Sequence, residues 1–253
     1  VLGFTNMLIK LIKEHQPKYL AIAFDRKEPT FRHKIYDGYK ANRPSPPEDL
    51  IPQFALIHRM VEAFNIKLLS IAGYEADDLI ATMKQKAIKE GHNVVIVTGD
   101  KDLMQLVDDQ TLLLDELRAS RSGREEFIGE DEVKLELGVA PKNVVDLLAL
   151  AGDASDNVPG VFGIGKKTAA ELINEFGSVE KILQMIPLIK QKARKDRLME
   201  GHHLALLSKK LVMLDTDAPV ECSIDEIKYN GPDENKLKEL FLELDFTRQL
   251  QDR

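Results

Sequence analysis

Two short, continuous apolar runs constrain the fold of this chain more than any other feature of its sequence. They occupy residues 19–24 (YLAIAF) and 93–98 (NVVIVT), and each lies between a helical pattern and a polar turn. Runs of this length and composition are typical of buried parallel strands. A third strand is expected at residues 68–71. Because strands and helices alternate, we predict an open α/β sheet with its functional sites at the carboxyl ends of the strands.

Apolar residues at helical spacing divide the chain into an α/β half and a helical half. In the first half, helices are expected at residues 49–64 and 74–90. Beyond about residue 129 the helical spacing recurs in segment after segment. The helices of this second half are expected at residues 141–150, 165–176, 201–214 and 235–244. The sequence therefore predicts an α/β domain at residues 1–129 and a helical domain at residues 130–253.

Composition excludes several classes of protein. The 35 basic and 42 acidic residues give a net charge of −7, which argues against an evenly basic surface. The only cysteine, Cys222, cannot form an internal disulfide, as expected of a cytoplasmic protein. No run of about 18 apolar residues is present, so no membrane segment is expected. The chain begins at Val1 inside a predicted helix, without an initiator methionine, and we expect that an N-terminal segment is missing.

Acidic residues collect where the predicted strands end. Asp25 follows the first run, and Asp100 and Asp102 follow the second. Two further groups open a helix and a turn, and their members are Glu75, Asp77, Asp78, Asp153 and Asp156. Each group alone is better explained by the preference of acids for helix N-termini and turns.

Taken together, these acids would repel one another at one rim of a sheet unless cations neutralised them. Oxygen ligands of this kind suit Mg²⁺ or Mn²⁺. Two such ions about 4 Å apart can activate a water molecule and stabilise the leaving oxygen in phosphodiester hydrolysis. The acids therefore predict a site for two or more divalent ions.

The segment at residues 26–43, called the arm below, is basic and rich in aromatic residues. Its six basic and two acidic residues give 6 − 2 = +4. Phe31, Tyr36 and Tyr39 lie among the charges, and this combination binds phosphates while stacking on bases. A solvated surface loop would have a similar composition. Because the arm starts one residue after Asp25, we favour a role at the acidic rim.

A glycine-rich turn at residues 159–170, called the hairpin below, is the other candidate for phosphate binding. It reads PGVFGIGKKTAA and opens a predicted helix, so that backbone N–H groups can meet a phosphate. Gly160, Gly165 and Lys166 fit part of a P-loop, but Lys167 stands where Ser or Thr must hold Mg²⁺, and no predicted strand precedes the turn. A helix–hairpin–helix element that binds the DNA backbone is therefore preferred over a P-loop nucleotide hydrolase. A purely structural helix–turn–helix stays open as an alternative.

The order of these motifs resembles the 5′ nuclease family. The matching stretches are FD at 24–25, FRH at 31–33, YKANR at 39–43, GYEADD at 73–78, TGDKDL at 98–103, GDASDNVPG at 152–160 and GIG at 163–165. The family includes the N-terminal domain of bacterial DNA polymerase I, bacteriophage 5′ nucleases and eukaryotic flap endonucleases. The resemblance follows the family order over about residues 1–176, which makes it more specific than any single motif.

The resemblance implies both a fold and an activity. The fold is PIN-like α/β, a parallel sheet with helices on both faces, joined to a helical lobe that contains a helix–hairpin–helix (H3TH) element. The activity is that of a structure-specific 5′-3′ exonuclease or flap endonuclease in replication and repair, which leaves a 5′-phosphate and a 3′-hydroxyl. The expected substrates are DNA with 5′ flaps, nicks and primer junctions, including RNA primers. A monomer is expected, and whether a polymerase follows Arg253 stays open.

The resemblance also implies roles for single residues. By motif position, the ligands of the first Mg²⁺ or Mn²⁺ ion are Asp25, Glu75 and Asp77, and those of the second are Asp100, Asp102, Asp153 and Asp156, with Asp78 nearby. The catalytic cations in a helical arch at about residues 26–47 are Arg32, Lys40 and Arg43, with Tyr39 available for stacking. The contacts to the duplex backbone, where relatives often hold K⁺, are Gly163, Gly165, Lys166, Lys167 and Thr168.

The chain departs from the family at its start. Relatives begin with an apolar strand that ends in Asp-Gly, and that aspartate is a ligand of the first metal ion. A non-catalytic module that binds branched DNA is therefore the main alternative to a nuclease. The acids that are present argue against this alternative, because a site without ions would not keep so much repelling charge.

We predict that the 253-residue chain binds branched DNA but cleaves it far more slowly than a version extended at its N-terminus, because a carboxylate ligand is absent. The measurement is cleavage of one labelled flap substrate with Mg²⁺ by both proteins. Equal rates would contradict the prediction.

Overall fold

A computed structural model of the chain describes residues 1–116 and 126–251. The chain forms two compact units, and each consists of separate stretches of sequence. The first unit contains Val1–Lys27, Pro44–Lys86 and Asp217–Arg253, and the second contains Glu28–Arg43 and Ala87–Thr216. The domain boundary expected at residue 129 stays a prediction.

The elements of the described residues are mostly helices. The α-helices are α1 Leu2–His15, α2 Phe31–Ile35, α3 Ile51–Ala63, α4 Ala76–Lys89, α5 Glu130–Leu137, α6 Val144–Ala151, α7 Lys166–Phe176, α8 Val179–Gln184, α9 Lys192–Glu200, α10 His202–Val212, α11 Glu234–Glu243 and α12 Thr247–Gln251. The strands are β1 Ala21–Ala23, β2 Lys67–Leu69, β3 Val94–Val97, β4 Thr111–Leu114 and β5 Phe127–Ile128. Short 3₁₀ helices lie at Lys101–Leu106, Pro141–Asn143, Ile186–Leu188 and Asp225–Ile227.

The first unit packs three helices beside a two-stranded parallel sheet. In that sheet, Ala21 of β1 lies opposite Lys67 of β2. The core residues come mainly from α1, α3 and α11, and they are Leu8, Met60, Val61, Ala63, Phe64, Ile66, Leu237, Leu240 and Phe241. The last three follow the i, i+3, i+4 spacing of an amphipathic helix. Each large side chain buried in this way stabilises the unit by about 1.5–3 kcal/mol.

The second unit is built around α6. Its buried side chains are Val144, Asp146, Leu147, Leu148, Ala149 and Leu150. A helix that is apolar on nearly all sides must be surrounded by protein, and α7 and α10 pack against it. A three-stranded sheet completes the unit, in which β3 and β4 are parallel and β5 pairs antiparallel with β4. The arm of the second unit contains α2.

The helices and strands expected from the sequence are present, within a few residues of their expected ends. Three differences stand out. The strands are divided between two sheets instead of one, and β4 and β5 were not predicted. β3 is an edge strand with Val95 and Val97 half-exposed, so it is not buried on both faces. The helix expected at residues 141–150 begins as a 3₁₀ turn at Pro141–Asn143, and its α-helical part begins at Val144.

No helix of the described residues is long and apolar enough to cross a membrane.

A partly buried ion network joins three helices of the second unit. The Lys209 ammonium on α10 lies 2.8 Å from a carboxylate oxygen of Asp146 on α6 and 2.8 Å from one of Glu180 on α8. The same Asp146 oxygen accepts the N–H of Val179 at 3.1 Å, in the first turn of α8. Burial by itself would lower the pKa of Lys209, but the hydrogen bonds to Asp146 and Glu180, together with the negative charges of these residues, outweigh burial and raise this pKa. Burial would raise the pKa of Glu180, and the hydrogen bond from Lys209 with smaller contributions lowers it.

We predict that Lys209→Met lowers the free energy of unfolding by about 2–3 kcal/mol, because it leaves the Asp146 carboxylate buried without its cation. The control is Lys210→Met on the same helix, which removes an exposed lysine and should change stability by about 0.5 kcal/mol or less. The measurement is denaturant unfolding of both variants. Similar losses for the two variants would contradict the prediction.

The difference between parent and Lys209→Met should also depend on pH. The lowered pKa of Glu180 stabilises the fold above the unfolded value of about 4.3, and this contribution is lost as the pH falls through the lower folded pKa. The raised pKa of Lys209 stabilises the fold below about pH 10.4, and this contribution is lost as the pH rises through the higher folded pKa. The difference is therefore expected to be largest between these limits.

Candidate metal centre

The acids of the first unit lie around the start of α4. Asp25 follows β1, and its carboxylate accepts the N–H of Ala76 at 2.7 Å. This bond holds Asp25 beside Glu75 and Asp77, which flank Ala76 in the chain. The carboxylate of Asp78 accepts the N–H of Glu75 at 3.1 Å, and Asp78 is fully buried. Asp25 and Asp78 therefore satisfy N–H groups at the first turn of α4, and Glu75 and Asp77 lie next to these bonds.

Three acids of the second unit form a compact cluster. Asp102, Asp153 and Asp156 each place one carboxylate oxygen so that the three oxygens lie within 4.8 Å of one another. This group is called the acid cluster below. Asp100 is not a member of it, and its carboxylate accepts the N–H of Asp102 at 2.9 Å. Asp100 thus begins the 3₁₀ helix Lys101–Leu106 and orients Asp102. Whether the acids of the first unit join this cluster stays a prediction.

The turn at residues 153–158 fixes the positions of Asp153 and Asp156, the other two members of the acid cluster. The carboxylate of Asp153 accepts the N–H groups of Ser155 at 3.1 Å and of Asp156 at 3.0 Å. Asp153 and Val158 also exchange two backbone hydrogen bonds, of 3.1 and 2.8 Å. Gly152 before the turn has φ 74°, and a side chain there would come within 2.7 Å of the Val158 carbonyl oxygen. Local chain geometry therefore presents Asp153 and Asp156 on one side of the turn.

The arm is docked on this turn. The N–H of Lys40 donates to the Asp156 carbonyl at 2.9 Å, and the Tyr39 hydroxyl donates to the Asp156 carboxylate at 3.1 Å. The Asn42 amide donates to the Ala154 carbonyl at 2.8 Å. In the opposite direction, the Asn157 amide donates to the Gly38 carbonyl at 2.6 Å. The C-terminal part of the arm is therefore held by neutral hydrogen bonds as well as by charge.

Two arm cations balance the charge of Asp156. The ammonium of Lys40 lies 3.5 Å from one carboxylate oxygen, and the guanidinium of Arg43 bonds to the other. Lys40 is 17% exposed and Arg43 is 48% exposed. Three carboxylates so close together repel one another, and the arm cations relieve part of this repulsion.

The cluster fits a divalent cation. Its donors are carboxylate oxygens only, which matches Mg²⁺ or Mn²⁺ better than the softer metals. The oxygens are near enough to one another to share one ion. The members are partly exposed, so an ion and its water ligands can reach them.

Two residues with predicted roles in the arm, Arg32 and Tyr39, are buried. Arg32 is 1% exposed, and its guanidinium donates to the carbonyls of Leu211 at 2.8 Å and Met213 at 3.0 Å. Arg32 therefore holds α2 to the end of α10, and its role at a substrate phosphate stays a prediction. The Tyr39 ring is 3% exposed and meets the edge of His33, with 5.3 Å between ring centroids. A ring packed in this way presents no free face for stacking on a base.

The hairpin has the exposed backbone that phosphate binding needs. Gly160 and Gly163 have φ 61° and 76°, which favour glycine. Gly165 is the N-cap of α7, and no acid lies in the first turn of that helix. The residues of the predicted contact are all at least partly exposed, and they are Gly163, Gly165, Lys166, Lys167 and Thr168. Helix α6, not a strand, is the element that precedes the hairpin, which argues against a P-loop.

Several residues of this region were not found by the sequence analysis. Asn42 and Asn157 bind the arm to the turn, and the Ser208 hydroxyl accepts the N–H of Gly160 at 2.9 Å. Asn157 has φ 55°, a conformation in which asparagine is enriched, and this preference was the only available signal. The guanidinium of Arg197 donates to the Gly163 carbonyl at 2.8 Å, and no local pattern indicates that contact.

Comparison with known families covers nearly the whole chain. A family model described as "5'-3' exonuclease, N-terminal resolvase-like domain" matches residues 1–138, and one described as "5'-3' exonuclease, C-terminal SAM fold" matches residues 139–235. These matches confirm the predicted fold class of a PIN-like α/β region with a helical region.

Two relatives and one solved structure are similar to this chain over nearly its whole length. DNA polymerase I of Bacillus caldotenax is 42% identical over 246 residues, which is 97% of this chain and 28% of that protein. The 5'-3' exonuclease of Aquifex aeolicus is 38% identical over 255 residues, 100% of this chain and 84% of that protein. The bacteriophage T5 flap endonuclease, solved in a pseudo-enzyme–product complex with DNA and metal ions, has a TM-score of 0.70 at 20% identity, covering 99% of this chain and 90% of that chain. The chain thus spans between 23% and 29% of the length of the polymerases that it matches.

We predict that Asp153→Asn weakens Mn²⁺ binding by about tenfold or more, because it removes one negative charge and disturbs the turn that places Asp156. Arg43→Gln should have the opposite effect and strengthen Mn²⁺ binding, because it removes a cation that competes for Asp156. Titration of Mn²⁺ followed by electron paramagnetic resonance measures both.

The control is Asp131→Asn, which removes a carboxylate that is 95% exposed on α5 and leaves the acid cluster unchanged. Unaltered Mn²⁺ affinity in Asp153→Asn, or weaker affinity in Arg43→Gln, would show that the acid cluster is not the site.

Proposed function

The chain belongs to the 5′-3′ exonuclease family, and on this premise we propose that it hydrolyses phosphodiester bonds of DNA near 5′ ends and 5′ flaps. The observation that carries the proposal is the acid cluster of Asp102, Asp153 and Asp156 with the cationic arm docked on it. Carboxylates that can hold cations, next to cations that can hold a phosphate, are the two components that phosphodiester hydrolysis requires.

The acids divide into ligands and supporting groups. Asp102, Asp153 and Asp156 would hold one divalent ion, and Asp25, Glu75 and Asp77 would contribute ligands for another. Asp78 and Asp100 accept backbone N–H groups and orient their neighbours. Bound Mg²⁺ or Mn²⁺ ions supply an activated water molecule and stabilise the leaving oxygen.

The arm cations take up the substrate phosphate. If a divalent cation shared the charge of Asp156, that carboxylate would attract Lys40 and Arg43 less strongly, and both could then bind an anion. Arg43 is half-exposed and its guanidinium can bind a phosphate with two parallel hydrogen bonds. The neutral bonds of Asn42 and Asn157 keep the arm on the turn while the ionic partners change.

The hairpin binds the duplex without reading its sequence. Lys166 and Lys167 are exposed, and the N–H groups at the start of α7 have no side-chain cap. Such a surface contacts phosphates and leaves the base edges unread. A K⁺ ion at the carbonyl oxygens of the hairpin is part of the proposal, although the Gly163 carbonyl already accepts a hydrogen bond from Arg197.

The proposal also covers the substrates, the oligomeric state, the location and the complete protein. We propose that flaps, nicks and RNA or DNA primer junctions are bound by a monomer in the cytoplasm, and that a polymerase follows this region in the complete protein. The polymerase relatives in which the matching region is 28% of the length support the last point.

We predict that Arg43→Gln lowers the rate of flap cleavage by about a hundredfold and that Asp153→Asn lowers it further, while both keep their affinity for flap DNA within about tenfold. The reason is that both groups act on the reacting phosphate and the hairpin supplies most of the binding. The assay uses a 5′-labelled flap with Mg²⁺ or Mn²⁺, on the chain and on a version extended at its N-terminus.

The matched control is Arg59→Gln, an exposed arginine of the first unit that pairs with Glu243. The non-catalytic module would be favoured if the unsubstituted chain and its N-terminally extended version both bound the flap tightly but cleaved it with neither Mg²⁺ nor Mn²⁺. Equal cleavage by Asp153→Asn and the parent would contradict the proposed function.

A further inference from the structure

A second concentration of positive charge lies outside the arm and the hairpin. Residues 190–197 (KQKARKDR) contain five basic residues and one acidic residue, which gives 5 − 1 = +4 in a chain of net charge −7. They include the first turns of α9. Lys190, Lys192 and Arg197 are exposed, whereas Arg194 and Lys195 are partly buried. We call residues 190–197 the basic segment.

The basic segment contacts the hairpin. The guanidinium of Arg197 donates to the Gly163 carbonyl at 2.8 Å. The guanidinium also lies so close that a side-chain carbon on Gly163 would come within 2.7 Å of it. At the end of α9, a side-chain carbon on Gly201 would come within 2.8 Å of Val161 of the hairpin. The two elements are therefore in contact along α9, and a ligand that lies on one can reach the other.

A third contact joins α9 to α7, the helix that begins within the hairpin. Arg194 bonds to Glu171 of α7 at 2.6 Å. This bond neutralises one charge of the basic segment and leaves most of the others. Within residues 1–116 and 126–251, neither Lys190 nor Lys192 has an ion-pair partner, and the same is true of Lys166 and Lys167. Four lysines on two joined elements therefore have no balancing anion in the described part of the protein.

The composition of the basic segment favours a polyanion over a membrane. Ala193 is its only apolar residue, so it has no side chain to insert between lipid tails. Its continuity with the hairpin favours the same ligand for both surfaces. The phosphates of a duplex repeat along its backbone, and one duplex can meet two neighbouring cationic elements.

We propose that the basic segment is a second contact for the phosphate backbone of the duplex DNA that the hairpin binds, with Arg197 as the positioning residue that joins the two surfaces. The inference rests on the proposed function, because it assumes that the hairpin binds duplex DNA. It adds a separate set of residues to that function, and the two can fail separately.

The test compares three double variants in duplex binding without divalent metal, over a range of KCl concentrations. Lys190→Gln with Lys192→Gln changes the basic segment, and Lys166→Gln with Lys167→Gln changes the hairpin. Lys236→Gln with Lys238→Gln on α11 is the matched control, since it removes two exposed lysines with the same spacing as Lys190 and Lys192.

The basic-segment variant is expected to bind about three- to tenfold more weakly than the control. The slope of log Kd against log salt concentration should also fall by about 2, one for each phosphate that a lysine no longer neutralises. Affinity and slope equal to those of the control would overturn the inference. If the hairpin variant then still loses affinity, the proposed function stands without this second contact. If no variant changes binding and Asp153→Asn still cleaves, the proposed function itself fails.

Discussion

The attachment of the arm to the turn at residues 153–158 is the interaction on which the site of the second unit depends. Its neutral part consists of the Asn42 and Asn157 amide bonds and the backbone bond of Lys40. Each such bond stabilises the attachment by about 1 kcal/mol. Its ionic part is the pairing of Lys40 and Arg43 with Asp156. The neutral bonds fix the position of the arm, so the ionic partners can change without release of the arm.

In the same unit, the ion network of Lys209 is connected to the surfaces that we propose bind DNA. Ser208 and Lys209 are neighbours on α10, where Ser208 accepts the N–H of Gly160 and Lys209 binds Asp146 under α8. α10 begins one residue after Gly201, which closes against Val161 of the hairpin. Helix α10 therefore connects the ion network to the hairpin through Ser208, while the lysines Lys166 and Lys167 of the hairpin and Lys190 and Lys192 of the basic segment are exposed. An overall negative charge is compatible with DNA binding because the cations are concentrated on these surfaces.

Periodicity was sufficient to predict most elements, because amphipathic spacing reports burial directly. It did not predict β4 and β5, because β4 follows a 3₁₀ helix and β5 pairs antiparallel, so neither belongs to the alternation of strands and α-helices on which the prediction was based. The acids at the ends of strands were found because parallel strands place them there. The partners of Asp156 were not, because a contact between residue 43 and residue 156 depends on how the chain folds back. Arg32 shows the same limit, since its burial depends on hydrogen bonds to the carbonyls of Leu211 and Met213, which are distant in the sequence.

The central claim is that Asp102, Asp153 and Asp156 hold a divalent ion. The most direct measurement is an anomalous difference map from crystals grown with Mn²⁺. The account predicts a peak about 2.0–2.3 Å from a carboxylate oxygen of each of the three acids. A map with Mn²⁺ bound elsewhere and only Lys40 and Arg43 against Asp156 would contradict it.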